Sequence, residues 1–88
     1  MDKPKNMTTL DYIDFLFKIT NKNEIDIISE SNYHVIKFNR ANPRSLAVEV
    51  NRYFFIFNKY YLYIDENKYK VNRQEYRTVR DKIKRLAY

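Results

Sequence analysis

A chain of 88 residues, 44% of them hydrophobic, is one small domain with its own core, which excludes a wholly disordered protein. It contains no cysteine, which excludes disulfides and thiolate metal sites, and no glycine, which excludes a P-loop or GxGxxG phosphate cradle. The net charge of +6 is uneven, with seven Lys/Arg against six Asp/Glu in residues 1–44 and ten against five in residues 45–88.

Residues 1–7 show no hydrophobic periodicity and read as a flexible arm before a single domain over residues 8–88. They lack the apolar run of a signal peptide, and no stretch approaches the ~20 apolar residues of a membrane helix. The expectation is a soluble cytoplasmic protein. Thr8 is placed to cap a first helix, with Asp11 favouring the positive end of its dipole. Leu10, Ile13 and Phe17 form a stripe that Tyr12, Leu16 and Ile19 widen, so this helix should pack on a sheet. Residues 20–23 end it.

Strand patterns follow. Ile25 and Ile27 alternate within residues 24–28, and residues 29–32 make a turn. His34, Ile36 and Phe38 then alternate with Tyr33, Val35 and Lys37. Pro43 marks a loop, after which Leu46, Val48 and Val50 share one side. Asn51-Arg52 and Asn58-Lys59 each separate strong β-formers by two residues, which suits hairpin turns, the second more clearly than the first. The first pair could also be a bulge in one long strand. Residues 65–68 make a last turn, and residues 69–71 a short strand. With no glycine, asparagine is the expected residue wherever a turn needs positive φ.

Residues 72–88 read as a helix with a defined start. Asn72 and Glu75 have the spacing of a capping box, and Val71 and Tyr76 that of a hydrophobic staple. Tyr76, Val79, Ile83 and Leu86 form one apolar stripe, while Arg73, Arg77, Arg80 and Lys84 recur on a different face beside Lys82 and Arg85. The predicted architecture is α+β: an N-terminal helix, an antiparallel meander of four to six strands and a basic C-terminal helix, both helices on one face. Some of the tyrosines at 33, 53, 60, 61, 63 and 69 must then lie on the other face or at an edge, together with Lys37, Lys59 and Lys70.

Little here suits catalysis. His34 is the only histidine, and its alternation with Ile36 and Phe38 points to a structural position facing the core or its rim. The carboxylates are scattered, and Asp65-Glu66 reads as a solvated loop tip. The expectation is a non-enzymatic protein without metal or cofactor. The features present are cations, which neutralise phosphates, and tyrosines, which stack on unpaired bases. The candidate binding residues are Arg73, Arg77, Arg80, Lys82, Lys84, Arg85 and Lys70, with Tyr61, Tyr63 and Tyr69 for stacking. The partner would be DNA, RNA or a nucleoprotein; the same helix could also be a face kept soluble by charge. A free sheet edge offers a route to a homodimer.

Two resemblances bear on this reading. Tyr63-Ile-Asp-Glu-Asn-Lys-Tyr-Lys-Val-Asn-Arg-Gln-Glu-Tyr76 resembles the strand, turn, short strand and capped helix of many small phage and mobile-element proteins, anti-CRISPRs among them. The Lys-, Asn- and Tyr-rich composition is similar to that of proteins from low-GC Gram-positive bacteria and their phages. This resemblance implies an inhibitor that docks on a host protein, such as a defence nuclease, in a bacterial or phage-infected cell. The meander over residues 53–70 followed by a basic helix also resembles ribonuclease toxins of the RelE type, although those usually open on a strand. Neither resemblance carries a functional residue onto this chain.

Overall fold

The computed structural model describes residues 7–53 and 57–87. In chain order these form α1 (Thr9–Ile19), a 3₁₀ turn (Lys22–Glu24), β1 (Ile25–Ser29), β2 (Tyr33–Phe38), β3 (Arg44–Tyr53), β4 (Phe57–Ile64), β5 (Asn67–Val71) and α2 (Arg73–Leu86). The first six residues of the expected arm, the middle of the expected 53–57 strand and Tyr88 lie outside the described residues. Met7, assigned to the arm by its sequence, packs against the core.

The five strands run β1-β2-β3-β4-β5, each antiparallel to the next, so the sheet is the expected meander. Its register follows from the apolar alternation. Ile27, Ile36, Leu46 and Ile64 form one cross-strand row; His34, Val48, Leu62 and Tyr69 form the next. A slip by one residue would turn each of these side chains to the opposite face, so burial of one face holds the pairing. Both helices cover that face: Tyr12, Ile13 and Leu16 of α1 and Tyr76, Val79 and Ile83 of α2 join Ile36, Phe38, Leu46, Val48 and Leu62 in one core.

The helix starts form as their caps dictate. The Thr8 hydroxyl accepts the Asp11 N–H at 3.1 Å, and the Asn72 side chain accepts the Glu75 N–H at 2.8 Å. An isolated helix of 14 residues is marginal in water, so α2 depends on burying its Tyr76–Val79–Ile83 stripe. It lies across β1 to β4, and Lys82 ties it to Asp14 of α1. The α1 stripe is rotated from the expected one. Tyr12, Ile13 and Leu16 are buried, Leu10 and Phe17 only partly, and Ile19 is 44% exposed. Contact with α2 as well as the sheet moves the buried face toward Tyr12 and Leu16.

The expected hairpin turns at Asn51-Arg52 and Asn58-Lys59 are both corrected. Asn51 pairs with Lys59, Arg52 with Asn58 and Tyr53 with Phe57, so both dipeptides lie inside strands. The pairings Leu46–Ile64, Val48–Leu62 and Val50–Tyr60 explain this. They oppose the apolar residues of β3 and β4 directly, whereas a turn at Asn58-Lys59 would break all three. The β2 and β5 pairings end at Glu49 and Tyr60, so β3 and β4 continue past their neighbours as a two-stranded arm.

Asp65, not an asparagine, is the residue with positive φ, 57°, among those described. It is no solvated loop tip either. Its carboxylate accepts from Arg44 Nη1 at 3.0 Å and from the Ser45 N–H at 3.2 Å, locking the β4–β5 turn to β3.

Candidate functional site

Paired residues of a sheet share a face, so the register assigns each candidate to a side. Tyr61 pairs with Lys70, and Tyr63 with Lys68; these four lie on the face away from the helices, with Tyr33 and Lys37. Tyr69 pairs with buried Leu62 and so belongs to the helix-covered side, at the sheet edge. Arg73, Arg77, Arg80 and Lys84 belong to α2. The candidate tyrosines Tyr61 and Tyr63 are therefore separated from the α2 cations by the thickness of the sheet.

Groups of the open face already contact one another. The Lys68 ammonium sits 4.1 Å from the Tyr61 ring centre and 5.8 Å from that of Tyr63, and the Tyr63 hydroxyl donates to Glu49 at 3.0 Å. Burial, and then the Glu49 carboxylate, raise the Tyr63 hydroxyl above its ordinary pKa. Tyr63 is thus a neutral donor already in use.

The α2 side is different. Spacing along the helix puts Arg73, Arg77, Arg80 and Lys84 on one flank, while Lys82 and Arg85 fall on the other. Lys82 is the candidate most clearly spent on structure, because it pairs with Asp14 and its side chain is only 18% exposed. The arginine flank faces the β3–β4 arm. There Arg52 and Asn58, which pair with each other, project to the helix side. Together with Ser31 of the β1–β2 turn they complete a cleft of about 160 Å³ around Arg73, Arg77 and Arg80. Val50, Tyr60 and Tyr76 line its apolar part, the two tyrosine rings lying 5.0 Å apart.

Four arginines and no carboxylate line this cleft. Arg80 is bound through Nε and Nη2 to Asp81 at 3.0 and 2.9 Å, and its guanidinium lies 5.6 Å from the Tyr76 ring centre. Arg52, Arg73 and Arg77 form no ion pair with a described residue. A larger cleft of about 540 Å³ lies near the Asp65 turn, but it mixes Lys37 and Arg44 with Asp65 and Glu66 and contains the Arg44–Asp65 ion pair. Volume favours that one; uncompensated charge favours the arginine cleft. Arg52 is the residue that sequence reasoning misses, because Asn51-Arg52 has the local chemistry of a turn. Continuing the β3 alternation through Val50 would have placed it on the helix side.

His34 lies beneath α2, 4% exposed, with its Nδ1 2.6 Å from the Ser29 hydroxyl. Burial first, then Lys84 and Arg80, lower its pKa below the usual 6.5, against a smaller opposing effect of Asp81. As pH falls below 6.5, the unfolded chain takes up a proton that folded His34 resists, so acid should destabilise the fold. Urea midpoints measured at about pH 7.5 and about pH 5.5 check this. The midpoint is expected to fall at the lower pH, and His34→Asn should reduce the drop. An equal drop in both proteins would assign the effect to other groups.

Among the described residues, no helix is long and apolar enough to cross a membrane, and no group of three or more His, Cys, Asp or Glu could hold a metal ion. Compared with protein-family models, curated proteins and solved structures, the chain matches none.

Proposed function

We propose that this protein is a non-enzymatic nucleic-acid-binding module that grips the phosphate backbone between α2 and the β3–β4 arm. The observation that carries the reading is the convergence of Arg52, from the arm, with Arg73, Arg77 and Arg80 around a cleft lined by no acid. Folding gathers like charges there although their repulsion opposes it, and a polyanion would relieve that repulsion. Lys84 extends the row. From Arg73 to Lys84 the helix rises ~16 Å, about five base pairs of duplex. The partner is DNA, RNA or a nucleoprotein that presents either. The work assigned to this surface is electrostatic positioning, with guanidinium groups donating to phosphate oxygens.

Fluorescence anisotropy with labelled single- and double-stranded DNA and RNA across a salt series tests this. Five phosphate contacts, one for each cation of the row and one for Arg52, give log K against log salt a slope of about −4.5 on duplex DNA and about −3.5 on a single strand. Absence of binding to all four probes at low salt would overturn the reading. It would turn attention to a protein-docking inhibitor, and an RNA-cleavage assay addresses the toxin alternative.

A further inference from the structure

The arginine cleft has a shape as well as a charge. Its polar lining comes from three elements: Arg73, Arg77 and Arg80 from α2, Arg52 and Asn58 from the arm, and Ser31 from the β1–β2 turn. Its volume of about 160 Å³ is small, which suits one compact anionic group better than a whole nucleotide. A small cleft into which three separate elements bring their polar groups suits a compact anion such as a single phosphate group.

Charge points the same way. A bridging phosphodiester carries one negative charge, whereas a terminal phosphomonoester carries about −1.5 to −2 near neutral pH and three strong acceptor oxygens. Guanidinium groups bind such oxygens in pairs, and Arg52, Arg73 and Arg77 hold none of their donors in a described ion pair. The Asn58 amide, bonded to the Tyr60 hydroxyl at a long 3.4 Å, and the Ser31 hydroxyl add neutral polar groups at the rim. We propose that the Arg52–Arg73–Arg77–Arg80 cleft is a pocket for the terminal phosphate monoester of a nucleic-acid strand. This rests on the nucleic-acid reading above and deepens it from backbone binding to recognition of phosphorylated ends.

The test uses internally labelled oligonucleotides of one sequence, as DNA and as RNA, carrying a 5′-phosphate, a 3′-phosphate or hydroxyls at both ends. At fixed salt, one of the phosphorylated forms is expected to bind at least about tenfold tighter than the hydroxyl form, one charge-assisted hydrogen-bond pair being worth about that much. Asn58→Asp introduces a carboxylate at the cleft while leaving every arginine in place, and Ser31→Asp does so from an exposed turn, should the first variant fold poorly. Either is expected to weaken binding of the phosphorylated form more than that of the hydroxyl form, so that the preference between them disappears. Equal affinity for all three forms would overturn the terminal-phosphate proposal and leave the backbone reading standing. A preference that survives in a folded acidic variant would also overturn it. No binding to any form would remove both.

Discussion

Reversing two charges across the cleft, Arg52→Glu with Arg77→Glu, should weaken nucleic-acid binding by about 100-fold or more at moderate salt. Each lost charge-assisted hydrogen bond is worth about 1.5–3 kcal/mol, and each new carboxylate adds repulsion. The pair is chosen because both side chains are exposed and neither has an ion pair with a described residue, so little folding energy is removed. Arg80 is a poorer choice, since its contacts with Asp81 and the Tyr76 ring would be lost as well. The control is Lys68→Glu with Lys70→Glu, which changes net charge equally on the opposite face. At 0.15 M salt the Debye length is about 8 Å, so these charges are largely screened from the cleft. A few-fold loss is expected from the control. If it loses as much as the cleft variant, the α2 surface is not the binding face.

The largest stability effect is expected from Phe38→Ala. Phe38 is fully buried on the helix-covered face, paired with Ile25 of β1, and belongs to the core that unites both helices with the sheet. Removing a buried phenyl group costs about 3–5 kcal/mol, in lost transfer energy and an unfilled cavity. Small domains are stable by only about 5–15 kcal/mol, so this change removes much of the total. Phe57→Ala supplies the contrast, because Phe57 is 52% exposed on the arm, where it stacks on Tyr53. That substitution should cost about 1 kcal/mol or less. Urea melts of both variants check the pair, and similar losses would contradict the division into core and projecting arm.

The two helices and most strands were legible because each has a local cause. Thr8 and Asn72 cap their helices through their own side chains, and the alternation of His34, Ile36 and Phe38 is intrinsic to an extended chain with one buried face. The hairpin was not legible. Asn51-Arg52 and Asn58-Lys59 have good local turn chemistry, yet the apolar pairings of Leu46, Val48 and Val50 with Ile64, Leu62 and Tyr60 override it. A buried row spanning several strands outweighs a dipeptide preference, and no short window contains both strands of that row. The same limit applies to α1, where residues distant in sequence decide which part of a broad apolar stripe is covered.

The candidate site divides in the same way. The amino-acid sequence by itself determined that cations dominate α2, that Arg73, Arg77, Arg80 and Lys84 share a flank, and that tyrosines outnumber the places beneath two helices. Those facts depend only on composition and on the 3.6-residue turn of a helix. Tertiary structure alone decided that Lys82 serves the α1 contact, that Tyr61 and Tyr63 face away from α2, and that Arg52 joins the helix arginines. The reason is that a face is a property of strand register, and register is set by contacts between residues far apart in the chain.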